Sequence, residues 1–317
     1  VKERQVLMFR ATSLVYSSHN RCEHIHRDWI VERALKSHHN KTILLIPMSM
    51  GRHDQQHYSW GTFDWYFNRF KKWGLEPSTF FWNEHLRHED VEVFFEKLVD
   101  SEVVILGGGS SVLGMDRYKK LGEHFYGDKG LFERILHERQ NKGMLTVGFS
   151  AGADQLCEYI AGATDYHNQD PHGFGLLRNT AVTLHHEWGR EGDLLHMARE
   201  FTHCMVFGLP NDSGIASDQG YLPSGNIWQV MEFIVDNTWD VPAEQFHIKT
   251  RQGLKVEHYY SDGRHWSFNS GDMMVRVMSP DDRYQDAWII KHGKGIFDYW
   301  TQEWSGYHRI EEILSSH

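Results

Sequence analysis

The sequence predicts a three-layer α/β fold built on a mainly parallel sheet. Two observations carry this expectation. In the first half, apolar runs of four to six residues alternate with helical segments, the pattern of βαβ units whose strands are buried on both faces. Two of those runs end in glycine-bearing loops, residues 107–111 and 148–152, where ligands of such sheets sit beyond the carboxyl ends of the strands.

Taken in order, Thr42-Ile43-Leu44-Leu45-Ile46 is a continuous apolar run stopped by Pro47, and reads as a strand. Residues 64–73 read as an amphipathic helix ending before Gly74, and residues 78–82 as a strand. Residues 91–99 form a helix with Val91, Phe94, Phe95 and Leu98 on one face. Val103-Val104-Ile105-Leu106 is a second strand, closed by Gly107-Gly108-Gly109. A helix over 131–140, a strand over 144–147 and a helix over 151–160 follow. Beyond residue 225 the character changes. Residues 256–268 alternate about Ser261-Asp262-Gly263-Arg264, a hairpin signal from the Asp-Gly pair. Residues 273–278 read as a strand, and a short helix over 310–314 ends the chain. The expected organisation is one α/β domain over residues 1–225, with a C-terminal extension over 226–317 packed on it.

Composition narrows the function. The 317 residues are 40% hydrophobic, enough for a sizeable core. The formal charge is −10, from 43 acidic and 33 basic residues. That argues against a general nucleic-acid binder, which needs a basic face against the phosphates. No stretch approaches the 18 apolar residues of a membrane span, and Val1-Lys2-Glu3-Arg4-Gln5 lacks the apolar core of a signal peptide. The three cysteines, Cys22, Cys157 and Cys204, are odd in number and widely spaced, which fits a reducing, cytoplasmic compartment rather than a disulfide framework.

The chemistry concentrates at Gly148-Phe149-Ser150-Ala151-Gly152. This is a G-x-S-x-G pattern between an expected strand and an expected helix. A sharp turn there lifts the Ser150 hydroxyl clear of the sheet, and small neighbours let the backbone fold back closely. The helix start offers free N–H groups, so the Ala151 amide is a candidate oxyanion donor. The bland reading is a tight turn with a helix-capping serine. In the second loop, Gly108 and Gly109 can turn an N–H toward an oxyanion. A phosphate cradle is the rival there, but the Lys-Ser/Thr ending of a P-loop is missing.

Three stretches together resemble the S51 serine peptidases, the group of aspartyl dipeptidase (peptidase E) and cyanophycinase. Residues 148–153 resemble the G-x-S-A-G-A nucleophile motif. Ile105-Leu106-Gly107-Gly108-Gly109-Ser110-Ser111 resembles the glycine-rich oxyanion loop, although Asn is common where Ser110 stands. Gly173-Phe174-Gly175-Leu176-Leu177, followed by Thr183-Leu184-His185-His186, resembles the segment leading to the catalytic histidine. Gly208-Leu209-Pro210 is a weaker fourth match. The resemblance covers roughly residues 40–220 and implies a fold similar to class I glutamine amidotransferases.

It also implies roles. Ser150 would be the nucleophile and His185 the base, with His186 as competitor; ungapped spacing from Gly173 favours His185. Asp165 stands at a dipeptidase-like distance to orient the imidazole. In cyanophycinase-like members a Glu serves, but here the corresponding segment is Asn211-Asp212-Ser213-Gly214, where Asp212 is the substitute. Arg190 resembles an arginine that binds substrate carboxylates, and Ser110 lies on the substrate side of its loop. The implied substrate is a small peptide, with an aspartyl or β-aspartyl linkage. No cofactor is required, and assembly as a homo-oligomer is left open.

Other readings compete. His53 and His57 stand four apart, His24 and His26 alternate, and His38 adjoins His39, among 23 histidines. A zinc site needs three or four convergent ligands, and no H-E-x-x-H or paired C-x-x-C is present, so no metal is expected. An α/β-hydrolase esterase would draw its base from later in the chain, at His265 or His292. A non-catalytic protein would use the pocket for binding, or the aromatic run from Phe297 to Tyr307 for assembly.

Overall fold

The computed structural model describes residues 9–17, 23–160, 170–235 and 254–317. Strand β1 (Ser13–Tyr16) is followed by a helical passage of α1 (Glu23–Ile25), a π-helical turn (His26–Val31) and α2 (Glu32–Leu35). Then come β2 (Thr42–Ile46), α3 (His53–Phe67) with a 3-10 turn (Asn68–Trp73), β3 (Glu76–Thr79) and α4 (His88–Asp100). Next are β4 (Val103–Leu106), α5 (Ser111–Tyr126), α6 (Leu131–Asn141), β5 (Leu145–Phe149) and α7 (Ala151–Leu156). The chain continues through β6 (Thr180–Leu184), α8 (Glu191–Glu200), β7 (Met205–Leu209), β8 (Gly214–Tyr221) and β9 (Ile227–Ile234). It ends with β10 (Val256–Tyr259), β11 (His265–Phe268), β12 (Met273–Met278), β13 (Gln285–Lys291), β14 (Gly295–Asp298) and α9 (Ile310–Ser315).

The main sheet has ten strands in the order β14-β13-β12-β9-β8-β1-β5-β4-β2-β3. From β1 to β3 every pairing is parallel, and from β1 to β14 every pairing is antiparallel. The sheet is therefore mixed, which corrects the expectation of a mainly parallel one. The reason is connection length. The links β8–β9, β12–β13 and β13–β14 are too short for a crossover helix, so those strands can only fold back on themselves.

The parallel half has the expected layers. Ile43 and Leu45 of β2 pack with Phe63, Tyr66 and Phe67 of α3 on one face. Leu44 and Ile46 pack with Phe94, Leu121 and Leu136 of α4, α5 and α6 on the other. Alternation of a continuous apolar strand between two buried faces is what makes the run unbroken. The antiparallel half is covered differently. A second sheet, β11-β10-β7-β6, packs on it, with Phe233 of β9 stacked on Phe268 of β11 at 3.9 Å between ring centres. Among the described residues no helix is long and apolar enough to cross a membrane.

Helix α7 is shorter than the 151–160 expected. Its chain leaves the helix at Cys157, which bridges Leu177, while the Glu158 amide donates to the Thr180 carbonyl. The pairing with the approach to β6 draws the backbone away from helical geometry.

Residues 226–317 join the main body by strand pairing, β9 on β8 and β10 on β7, and Arg276 on β12 is fully buried. Among the described residues no carboxylate pairs with it; its guanidinium donates to the Asn179 carbonyl and to the side-chain oxygens of Gln229 and Gln285. Burial lowers its pKa to about 10. We expect Arg276→Met to destabilise the protein by about 3 kcal/mol, since buried acceptors lose their donors. Urea unfolding should remain one transition with a shifted midpoint; two separated transitions would show that residues 226–317 fold on their own.

Candidate active site

Ser150 lies between the last residue of β5 and the first of α7, with φ 52° and ψ −116°. A non-glycine residue rarely adopts a positive φ, and such strain concentrates at functional turns. Its neighbours explain the motif. A methyl group on Gly148 would overlap the Gly152 carbonyl, and one on Gly152 would overlap the Leu106 carbonyl. The glycines are thus required by two backbones in contact. The Ser150 amide donates to the Tyr16 carbonyl at 3.1 Å, tying the turn to the end of β1. The residue remains partly exposed.

The loop after β4 lies beside it. A Cβ built on Gly108 would stand 3.4 Å from the Ser150 Cβ. Gly109 has φ 129°, and any side chain there would strike the Ser49 carbonyl. No described residue accepts a hydrogen bond from the amides of Gly108, Gly109 or Ala151. Ser110 has another task. Its amide donates to the Ser49 carbonyl at 2.8 Å, and its hydroxyl caps α5 by accepting from the Leu113 amide at 3.2 Å.

His185 follows β6 and is exposed, with φ 54°. Its amide donates to the Ser17 hydroxyl at 2.6 Å, and its Nδ1 lies 2.6 Å from the Asn211 amide oxygen. An amide oxygen can only accept, so this contact places the proton on Nδ1 and leaves the Nε2 lone pair as the base. Ser17 is fully buried, and its own amide donates to the Ser213 carbonyl at 3.1 Å. Tyr16 and Ser17 therefore tether Ser150, His185 and the 211–213 turn to the same end of β1.

His186 faces elsewhere. It is buried, its amide donates to the Leu209 carbonyl at 2.9 Å, and its ring lies against Gly208, leaving no room there for a Cβ. Burial lowers its pKa. Asp212 is fully buried with φ 63°, and its carbonyl accepts from His24 Nε2 at 3.0 Å. Asp165 lies outside the described residues. The Arg190 guanidinium is engaged by Asp193 through Nε at 3.1 Å, and its Nη1 reaches the His185 carbonyl at 3.4 Å. His265 sits on β11, the edge strand of the second sheet, and His292 follows β13; neither hangs from β1.

Two residues of this arrangement escape sequence reasoning. Asn211 was readable only as a place where an acid was missing. Ser17 gave no signal, because its partner is 168 positions away.

Asp154, one turn along α7, adds an electrostatic feature. Its carboxyl is buried; one oxygen accepts from the Ser111 hydroxyl at 3.3 Å and the other meets no partner among the described residues. Burial raises its pKa from 3.8 to about 7, opposed by the Ser111 bond. The folded state holds this proton longer than the unfolded chain, so stability is lost as pH rises from about 4 to about 7. Asp154→Asn should gain on the wild type across that interval, with a ceiling of about 4 kcal/mol, in urea melts at stepped pH. A gain independent of pH would refute the buried-acid account. Ser17→Ala should speed hydrogen exchange at the His185 amide by about tenfold, matching the loss of one half-buried hydrogen bond. Unchanged exchange there would show that Ser17 does not hold the loop.

The profile described as peptidase family S51 matches residues 11–222. Peptidase E of Salmonella arizonae (strain ATCC BAA-731 / CDC346-86 / RSK2980) is 30% identical over 139 residues, which cover 39% of this chain and 56% of that protein. The alignment thus spans little more than half of that relative. The crystal structure of a peptidase from an acI-B1 Actinobacterium superposes with a TM-score of 0.53 at 14% identity, over 86% of this chain and all of the other. That likeness establishes a shared fold.

Proposed function

The chain belongs to peptidase family S51, and on that premise we propose that it is a serine peptidase acting through an acyl-enzyme on Ser150. The observation that carries the reading is the common anchor: Ser150 hangs from Tyr16, and His185 from Ser17. In the proposed reaction His185 Nε2 takes the Ser150 proton as the hydroxyl oxygen attacks the scissile carbonyl. The tetrahedral oxyanion is received by the Ala151 amide and by that of Gly108 or Gly109. His185 then gives its proton to the leaving amine, and water attacks the acyl-enzyme by the same steps in reverse. Asn211 fixes the imidazole orientation in place of an acid. An amide in that position is compatible with catalysis, as in the Cys-His-Asn sites of papain-like proteases.

The proposed substrate is a small peptide bearing an aspartyl or β-aspartyl group. Its carboxylate would compete with Asp193 for the Arg190 fork. The Peptidase E likeness supports a peptide substrate.

A fluorophosphonate probe should label wild-type protein and fail to label Ser150→Ala, and this variant should lose at least about 10⁴-fold in kcat on the true peptide. Full activity of Ser150→Ala would end the proposal. Asn211→Asp places a carboxylate against the imidazole and favours its protonated form. The ascending limb of kcat/KM against pH should then move upward by about one unit. A limb that stays in place would mean that Asn211 does not orient the base.

A further inference from the structure

Of the histidine pairs the sequence presents, one is arranged as a chelate. His53 and His57 project from the first two turns of α3, both exposed, with their Nε2 atoms 2.8 Å apart. The other pairs are spent on protein contacts: His24 on the Asp212 carbonyl, His26 on the Tyr16 hydroxyl, and His39 on Asp100. Phe81 holds the rings of the exposed pair in place. It stacks on His57 at 4.1 Å between centres and meets His53 edge-on at 5.8 Å. Two imidazoles one helical turn apart, already aligned and stacked, forfeit little rotamer freedom on binding an ion.

We infer that His53 and His57 form a bidentate binding site for a divalent transition-metal ion of tetragonal preference, Cu²⁺ or Ni²⁺. The ligand chemistry selects the ion, since 2.8 Å is the length of the N–H···N hydrogen bond between the two rings. Metal–imidazole bonds of about 2.05 Å put adjacent nitrogens about 2.9 Å apart at a right angle, and about 3.3 Å apart at a tetrahedral angle. Both separations lie within reach of the two exposed rings once the shared proton is released, and an open two-nitrogen site follows the affinity order that peaks at Cu²⁺. Tetragonal nitrogen and oxygen coordination is characteristic of Cu²⁺ and Ni²⁺, whereas Zn²⁺ prefers the tetrahedron. Asp54 is not free to join, because Arg52 occupies both of its carboxylate oxygens. Among the described residues no group of three or more His, Cys, Asp or Glu converges anywhere. Water therefore completes the coordination, and the ion is exchangeable. The site does not depend on the peptidase reading.

The test uses the full chain without an affinity tag. Cu²⁺ and Ni²⁺ are titrated against a chromophoric chelator into wild type, His53→Gln, His57→Gln and, as control, His38→Gln. Each of the first two variants should lose one bound equivalent, or bind it at least tenfold more weakly, while the control matches wild type. The Cu²⁺ electron paramagnetic resonance spectrum of wild type should show two equatorial nitrogens at this site, lost in either variant. Circular dichroism confirms the fold, since both positions are exposed. Equal stoichiometry and affinity in wild type and both variants would overturn the inference and leave the pair as a proton-sharing hydrogen bond. Tighter binding of Zn²⁺ than of Ni²⁺ would overturn the choice of ion.

Discussion

The candidate site hangs on the carboxyl end of β1. This strand pairs parallel with β5 on one side and antiparallel with β8 on the other. It is the place where the sheet changes from parallel to antiparallel pairing. Two consecutive residues exploit it. The Tyr16 carbonyl accepts from Ser150, while Ser17 accepts from His185 and donates to Ser213. Chain segments separated by more than a hundred residues are thereby fixed to one short strand, whose own anchoring residues Tyr16 and Ser17 are fully buried.

That anchoring has a cost in backbone strain, and the strain is local. Six described non-glycine residues have positive φ, and three of them, Ser150, His185 and Asp212, belong to this site. Each such residue costs about 1–3 kcal/mol unless its surroundings over-determine it. Here they do. Leu106 and Gly152 enclose the Ser150 turn, Ser17 holds His185, and His24 binds the Asp212 carbonyl. The same close packing makes glycine obligatory at 148 and 152, so the motif records a steric requirement before it records any chemistry.

Much of the parallel half was legible because its strands, β2, β4 and β5, are buried on both faces and so appear as unbroken apolar runs. β1 was not, since Thr12-Ser13-Leu14-Val15-Tyr16 mixes buried polar and apolar residues and has no such signature. α5 was hidden by Gly114 and Gly122, poor helix formers retained because side chains there would strike Gln155 and the Asp128 carbonyl. The antiparallel half was readable in principle from its short connections, but direction of pairing is a tertiary fact that periodicity does not encode. At the site, Ser150 and the glycine loop were legible because their chemistry is local in sequence. The choice between His185 and His186 rested on spacing alone; their surroundings differ, the first exposed with its amide on Ser17 and the second buried with its ring against Gly208.

An amide where an acid would be expected shifts the charge balance of the proposed reaction. A carboxylate partner would stabilise the imidazolium that forms as Ser150 loses its proton; Asn211 directs the ring without supplying that charge. His185 is exposed, so water can screen the imidazolium in the partner's place. Behind the nucleophile, burial keeps Asp154 from ionising until pH approaches about 7, so it opposes an oxyanion little in acidic solution. The remaining stabilisation has to come from backbone N–H groups at Gly108, Gly109 and Ala151, which carry no net charge and do not titrate. In such a site the rigidity of the two glycine turns matters more than the identity of the third residue. That is consistent with an amide, Asn211, being the side chain that meets the His185 ring.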